Sequence, residues 1–139
     1  MCGSRTFDDH WIVNAVLDGI YTEATVGYLV TDMDEFVLIE GGASGADTLA
    51  AWWAESSPMH SHNEHPDHPP FRHQRYLADW DRHGKSAGPI RNQRMLVEGK
   101  PDLVVAFVDK PLAESKGTAN MVKQARKAGV KTYVIERIK

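Results

Sequence analysis

The sequence predicts an α/β fold of three layers, in which helices cover both faces of a mostly parallel sheet. Two observations predict this class. Short and almost wholly apolar runs alternate with segments that have the spacing of amphipathic helices, and turns rich in glycine, serine and threonine connect them. The length of 139 residues fits a single domain over residues 1–139, which is long enough to bury a core of its own.

Three strands and one weaker candidate follow from the apolar runs. The clear strands are Phe36–Ile39, Leu103–Phe107 and Thr132–Ile135. Continuous apolar runs of this kind are typical of strands that are covered on both faces. The weaker candidate is Gln74–Ala78, which contains more polar residues.

The predicted helices lie around these strands. Asp8 or Asp9 is expected to cap a first helix, and the spacing places Ile12, Val16 and Ile20 on its core-facing side. Three further helices are predicted over Asp47–Glu55, Pro89–Glu98 and Thr118–Ala128. Trp52 and Trp53 are neighbours in one of these helices and cannot both face the same core stripe, so one is expected to meet a loop or a second subunit of a homodimer.

Composition excludes several classes of protein. The net charge of −3 argues against a general DNA-coating protein, which usually has a basic surplus. No apolar run approaches the roughly 20 residues of a membrane span, and we recognise no signal peptide. A single cysteine, Cys2, suits a reducing compartment. We therefore expect a cytoplasmic protein without membrane association.

Three turns rich in glycine, serine and threonine each open a predicted helix, and two of them follow clear strands. In a parallel sheet such turns share the carboxyl edge, where open α/β folds bind ligands. The first turn of a helix offers free N–H groups to a phosphate, and glycine lets the backbone approach closely. The candidate phosphate-binding residues in these turns are Gly3, Ser4, Arg5, Gly41, Gly42, Ala43, Ser44, Gly45, Asp47, Lys116, Gly117 and Thr118.

A fourth stretch, residues 84–92, adds cationic and small residues to the predicted cleft. Arg91 can form paired hydrogen bonds with a phosphate, and Asn92 can orient a ribose or a base. In the alternative interpretation, Arg91 and Arg94 form ion pairs on a solvated helix face. The candidate ligand-binding residues of this stretch are Lys85, Gly88, Pro89, Arg91 and Asn92.

In this order, the motifs resemble those of the SLOG superfamily of Rossmann-like domains, and most closely its YspA (YpsA-related) branch of bacteria and phages. The resemblance runs from Cys2 to about Ile135. It implies a nucleotide-binding cleft formed by the turns. The superfamily includes the LOG nucleotide phosphoribohydrolases and the Rossmann domain of the DNA-processing protein DprA. The motifs are Gly3-Ser4-Arg5, Gly41-Gly42-Ala43-x-Gly45-Ala46-Asp47, Gly88-Pro89-x-Arg91-Asn92-x-x-Met95 and Lys116-Gly117-Thr118.

Two departures from the family concern structure. The family has an apolar strand before the Gly-Ser-Arg motif, whereas only Met1 and Cys2 precede it here, so the first strand is expected to be truncated. Either the native chain starts further upstream, or a hairpin arm at Val26–Thr31 fills the gap; a simple helix-to-strand connection is the competing interpretation of that arm. Residues 57–73, rich in histidine and proline, are expected to be an inserted loop.

The third departure concerns catalysis. LOG enzymes carry a Gly-Gly-x-Gly-Thr-x-x-Glu motif with a catalytic glutamate, and the matching position here is Met121. Cleavage of an N-glycosidic bond needs a carboxylate near the developing positive charge. Asp47, Asp81 or Glu114 are the candidates, and Asp47 is the best single catalytic candidate. Asp47 also has a purely structural interpretation, as an acidic residue that complements the helix dipole.

Three functions are open at this stage. We expect binding of a nucleotide, nucleotide sugar or signalling nucleotide, as in a bacterial or phage nucleotide sensor, without a cofactor. The first alternative is a nucleotide N-glycosidic hydrolase. The second is DprA-like binding of single-stranded nucleic acid, in which basic residues alternate with Tyr76 and Trp80, although Asp79 and Asp81 dilute the charge. The basic residues are Arg72, Arg75, Arg82, Lys85, Arg91 and Arg94.

The histidines of the inserted loop raise the question of a metal site. His60, His62, His65 and His68 are potential zinc ligands. Their spacing in a proline-rich loop specifies no geometry, and no cysteine accompanies them. We therefore expect a mobile, solvent-exposed loop and no metal.

Overall fold

A computed structural model describes residues 1–26, 33–61 and 63–137. Strands and helices alternate along the chain, as the sequence predicts. Short 3-10 turns lie at Pro58–His60, Gly84–Ser86 and Leu112–Glu114. The strands and helices are β1 (Cys2–Gly3), α1 (His10–Thr25), β2 (Phe36–Glu40), α2 (Ala46–Ser56), β3 (Phe71–Arg75), α3 (Trp80–His83), α4 (Ala87–Val97), β4 (Leu103–Val108), α5 (Lys116–Lys127) and β5 (Lys131–Glu136).

All the strand pairs of the described residues are parallel. β1, β4 and β5 form one sheet with β4 in the middle, and β2 pairs with β3 in a second sheet. The terminal ammonium of Met1 donates a 2.8 Å hydrogen bond to the carbonyl oxygen of Ile39, so β1 lies beside β2 and connects the two sheets. The layer therefore runs β3-β2-β1-β4-β5, which confirms the predicted α/β class with a mostly parallel sheet.

The first strand is as short as the sequence leads us to expect. Cys2 pairs with Ala106 and Gly3 with Phe107, so two residues occupy the central place in the layer. Met1 lines a cavity of about 520 Å³ together with residues of β2 and β4. The hairpin arm proposed for Val26–Thr31 falls almost wholly on residues 27–32, which lie outside the described residues.

The position predicted for the weaker strand candidate was wrong. β3 covers Phe71–Arg75 and not Gln74–Ala78, and Phe71 pairs in register with Phe36. The rings of these two residues stack at 5.6 Å, which anchors the start of the strand. The ladder extends to Tyr76, whose N–H donates to the carbonyl oxygen of Glu40. Because most residues of β3 are polar, a search for apolar runs in the sequence does not recognise this strand.

Helix α1 begins where predicted but buries a different face. Asp9 caps it, because its carboxylate accepts a hydrogen bond from the N–H of Ile12. The fully buried stripe is Val13, Leu17 and Tyr21. The predicted face was one residue out of phase: Ile12, Val16 and Ile20 are only partly buried and flank the stripe.

Two apolar clusters on opposite faces of the sheet form the core and give the three layers. Helices α1 and α2 build the first cluster with Val105 and Phe107 of β4. Helices α4 and α5 build the second with Val104 and Ala106 of the same strand. In α2, Trp53 is buried in the first cluster while Trp52 is 61% exposed. Within the described ranges, no helix combines the length and apolar character needed to span a bilayer.

Two histidines of the loop before β3 pack against aromatic rings of the core. The ring of His60 stacks on Phe71 at 4.0 Å and meets Trp53 at 4.4 Å, and the ring of His68 stacks on Tyr21. The expectation of a fully exposed loop was therefore wrong for these two histidines, and residues 71–73 belong to β3. Among the described residues, no three metal-ligating side chains are grouped for an ion.

Candidate functional site

The turns that follow β1, β2 and β4 meet at the carboxyl edge of the sheet. The N–H of Ser4 donates to the carbonyl oxygen of Phe107 at 2.8 Å, and the N–H of Ala46 donates to that of Ser4 at 3.2 Å. The hydroxyls of Ser4 and Ser115 lie 3.1 Å apart. A Cβ at Gly3 would overlap the oxygen of Phe107 and the side chain of Ala46, so glycine is required for this close approach.

Two cavities open at this edge. The α5 cavity has a volume of about 360 Å³ and contains the first turn of α5. The loop cavity has a volume of about 320 Å³ and lies along the loop after β2. Arg5, Ala43, Trp80 and Arg91 line both of them, so the two cavities are adjacent.

Most of the predicted ligand-binding residues line one cavity or the other. The predicted residues in the α5 cavity are Gly3, Arg5, Ala43, Asp47, Gly88, Arg91, Asn92, Lys116, Gly117 and Thr118. Those in the loop cavity alone are Gly41, Gly42 and Ser44. Four lie outside both: Ser4 is buried beneath the turns, Lys85 and Pro89 are exposed, and Gly45 packs against the backbone of Arg5. These four residues stay predictions, because they line neither of the two cavities.

The loop after β2 uses several of its own N–H groups within the protein. The N–H of Gly42 donates to a carboxylate oxygen of Glu40 at 2.5 Å, and the N–H of Ala43 donates to Asp47 at 3.2 Å. The N–H of Ala46 is bonded to Ser4, as described above. These groups were expected to contact phosphate. Because the loop surrounds two carboxylates, it is the less favourable of the two helix starts for an anion.

Glu40 determines the shape of this loop and was missed by the sequence analysis. Its carboxylate is fully buried and contacts Arg75 at 2.6 Å and His73 at 2.9 Å. The hydrogen bond and the charge of Glu40 raise the pKa of Arg75 above its usual value. The signal in the sequence is a glutamate that ends an otherwise apolar strand.

Asp47 is the buried carboxylate of the α5 cavity. It is 5% exposed, one oxygen accepts the N–H of Ala43, and the other, Oδ1, has no hydrogen-bond partner in the described part of the chain. Burial raises the pKa of Asp47 above the usual range, and the charge of Glu40 raises it further, against the ammonium of Met1 and the guanidinium of Arg91. A buried oxygen without a partner is costly, so a donor from a ligand would be bound favourably there.

Arg91 and Asn92 connect the loop after β2 to α5. Nη1 of Arg91 donates to the carbonyl oxygen of Gly41 at 2.5 Å, and its Nε donates to the side chain of Asn92 at 3.0 Å. The amide nitrogen of Asn92 donates in turn to Gly117 and Asn120. Arg91 was expected to bond to a phosphate, and the structure also gives it this positioning role.

The start of α5 is the electropositive part of the α5 cavity. Residues in the first turn of a helix have N–H groups without an acceptor inside the helix, and the helix dipole favours an anion there. Lys116 and Gly117 occupy this turn, and Lys110 and Arg5 line the same cavity. The acidic residue Glu114 also lines it. The arrangement is suited to a phosphate group held by backbone N–H groups and cations.

Of the other two catalytic candidates, Glu114 lines the α5 cavity and Asp81 does not. Asp81 is exposed and lines neither cavity. Met121, the residue at the position of the LOG glutamate, is 1% exposed and packs in the second apolar cluster. Cys2 lines the α5 cavity, but burial raises the pKa of its thiol to about 12, so it is not a thiolate nucleophile at neutral pH.

Comparisons with known proteins identify the family of the chain. A family model described as "YspA, cpYpsA-related SLOG family" matches residues 1–83. Gene 61 protein of Mycobacterium phage D29 is 38% identical over 94 residues, which are 68% of this chain and 66% of the phage protein. No solved structure matches the chain. The chain belongs to the YspA, cpYpsA-related SLOG family.

Proposed function

We propose that this protein binds a nucleotide or a nucleotide-derived ligand, with a phosphate at the first turn of α5, and acts as a sensor in the cytoplasm. One observation carries the proposal. The α5 cavity brings together the free start of a helix, the cations Arg5, Lys110 and Lys116, and the unpartnered oxygen of Asp47.

The charges in the α5 cavity support a ligand of this kind. The cationic side requires an anion, and the buried acceptor oxygen of Asp47 requires a hydrogen-bond donor. A nucleotide has both, because its phosphate is an anion and its ribose hydroxyls or base amino groups are donors. A volume of about 360 Å³, extended by the adjacent loop cavity, lies in the range of small-molecule sites.

Hydrolysis of an N-glycosidic bond is the second candidate function. Asp47 favours it, because a carboxyl group with a raised pKa lies inside the proposed nucleotide cavity. Such a group can act as a proton donor or stabilise an oxocarbenium-like transition state. Incubation with the nucleotides that bind, followed by detection of free base, tests this candidate directly.

Binding of single-stranded nucleic acid receives less support. Arg72, Arg75 and Arg94 of the predicted basic stripe form ion pairs with Glu35, Glu40 and Glu98. Tyr76, proposed as a stacking residue, is only 5% exposed. The pairs occupy three of the six predicted basic side chains, and the burial of Tyr76 leaves one of the two predicted stacking rings, whereas such binding needs a positive groove and stacking aromatics.

Thermal unfolding in the presence of a ligand panel tests the proposed function. The panel contains nucleoside mono-, di- and triphosphates, nucleotide sugars and cyclic dinucleotides. A ligand at 100 times its Kd stabilises the fold by about 2.7 kcal/mol. We expect at least one class to raise the Tm, and Lys116→Gln to reduce that shift. Lys127→Gln, at the other end of α5, is the matched control. An unchanged Tm across the panel would contradict the proposal.

A further inference from the structure

Trp80 is a large aromatic side chain at the boundary of the two cavities. It is the first residue of α3 and is 47% exposed. Among the described residues that line either cavity, it is the one aromatic residue, and it lines both. A ligand that covers this ring would remove apolar surface from water, which favours binding.

Neighbouring groups position the indole ring. The guanidinium carbon of Arg5 lies 5.4 Å from the ring centroid, within the distance of a cation–π contact. A Cβ at Gly88 would lie 3.4 Å from Cη2 of Trp80, so the first turn of α4 packs against the ring. Asp79 caps α3 through the N–H of Arg82, which fixes the backbone of Trp80. The ring is therefore preorganised before a ligand arrives.

The loop cavity differs from the α5 cavity in its chemistry. Its cations, Arg5 and Arg91, are shared with the α5 cavity, and it contains neither lysine of that cavity. Its own lining consists of the small residues of the loop after β2 together with Leu77 and Ala78. Leu77 is 65% exposed and lies beside Gly42. A slot between an indole, an aliphatic side chain and a glycine-rich loop suits a flat, uncharged ring.

We propose that Trp80 stacks on the base of the ligand, and that the base lies in the loop cavity while the phosphate lies at the start of α5. This inference rests on the proposed function and narrows it, because a sugar phosphate without a base would leave Trp80 uncovered. Every nucleobase has a π face, so stacking provides affinity for any base. Arg5 contributes to both parts, since it contacts the indole and lines the phosphate cavity.

Calorimetric titrations with AMP, GMP, CMP, UMP, adenosine and ribose 5-phosphate test the proposal on the whole chain. We expect Trp80→Leu to weaken binding of the nucleotides by about tenfold or more, the scale of a lost base stack. Its affinity for ribose 5-phosphate should be unchanged. Trp80→Phe should restore nucleotide binding to within about threefold of wild type, because phenylalanine also stacks.

Tryptophan fluorescence provides a second readout of the same contact. Nucleotides should change the emission of the wild-type protein, and this change should disappear in Trp80→Phe although binding persists. The matched control is Trp11→Phe, which removes a tryptophan that is 75% exposed and lines neither cavity. The control should keep both the binding and the emission change.

The outcomes separate this proposal from the function on which it rests. Equal nucleotide affinity in Trp80→Leu and wild type would overturn the stacking role and leave the phosphate site intact. Binding of adenosine that depends on Trp80, without binding of ribose 5-phosphate, would support stacking and overturn the phosphate site. No binding of any of these probes, together with an unchanged Tm across the whole ligand panel, would overturn both.

Discussion

The Nη1 atom of Arg91 donates a hydrogen bond of 2.5 Å to the carbonyl oxygen of Gly41, and this contact holds α4 against the loop that follows β2. A Cβ at Gly41 would overlap the same guanidinium, so the glycine and the arginine fit each other. Arg91 also lines both cavities. Its side chain therefore positions the loop and remains within reach of a ligand.

Arg91→Ala should weaken both the fold and the site. Loss of a charged hydrogen bond to a carbonyl oxygen is expected to lower the free energy of unfolding by about 1.5–3 kcal/mol, and the chain should still fold. Nucleotide binding should weaken as well. Urea unfolding measures the first effect and calorimetry the second. Arg94→Ala is the control, because its exposed pair with Glu98 should contribute at most about 1 kcal/mol. Equal losses in the two variants would contradict the role of Arg91.

Asp47→Asn should separate ligand binding from stability. The amide oxygen would accept the N–H of Ala43, as Oδ2 does now, which puts the amide NH₂ in the place of the unpartnered acceptor Oδ1. The variant then has a donor at the position where the donor group of the ligand needs an acceptor. We expect nucleotide affinity to fall by about tenfold. Unchanged affinity would show that Asp47 does not contact the ligand.

The same variant should change how stability depends on pH. The pKa of Asp47 is raised in the fold, chiefly by burial, so the folded chain binds a proton more tightly than the unfolded chain. Ionisation of Asp47 therefore reduces stability as pH rises above the ordinary value of 3.8. The Tm of Asp47→Asn should exceed that of wild type at pH 8, and the difference should shrink at pH 4. The same Tm difference at pH 4 and pH 8 would contradict a raised pKa of Asp47.

His60 should have the opposite pH dependence. Burial lowers its pKa below the ordinary value of 6.5, so the unfolded chain binds the proton more tightly. Stability should then fall as pH decreases from 7 to 5. His60→Phe keeps a ring to stack on Phe71 and removes the proton site. The Tm of the variant should depend less on pH over this interval than the Tm of wild type. An identical pH dependence in both proteins would show that a group other than His60 causes it.

Trp52 is the residue that we expect at the interface of a homodimer. It is 61% exposed, while the adjacent Trp53 is buried. Trp52→Glu should convert a dimer to a monomer without loss of the fold, and light scattering with size-exclusion chromatography measures the mass. Trp11→Glu is the control for an exposed tryptophan on another helix. A wild-type protein that is monomeric at high concentration would contradict the expectation.

Strands that contain a continuous apolar run could be predicted from the sequence, whatever their burial, and the other strands could not. Phe36–Ile39 and Leu103–Phe107 are recognisable because burial on two faces demands continuous apolar residues. In β3, Arg72 and Arg75 point to solvent or to Glu40, so the strand shows no apolar pattern. Cys2–Gly3 is too short to produce any pattern.

The candidate site was predicted from its turns, and the missing residues are those that act through tertiary contacts. Glycines before a helix can be recognised in a sequence. The role of the buried carboxylate of Glu40 depends on its contacts with Arg75 and the N–H of Gly42, which form only in the folded chain. Trp80 appears in the sequence as an aromatic residue in a basic stripe. Its place beside Arg5 and between two cavities depends on the packing of α3 against α4.

Gly117→Ala is the most direct test of the central claim that a phosphate contacts the backbone at the start of α5. A Cβ at Gly117 meets no atom within 4 Å, so the protein itself does not require glycine there. Gly19→Ala is the matched control, since Gly19 is also helical and unobstructed. Alanine is the better helix former, so neither variant should lower the Tm without ligand.

Nucleotide titration of the two variants by calorimetry is the measurement. We predict that Gly117→Ala weakens binding by about tenfold or more, because its methyl group occupies space that the phosphate needs to reach the N–H groups. Gly19→Ala should bind like wild type. Wild-type affinity in Gly117→Ala would contradict the claim and place the phosphate elsewhere.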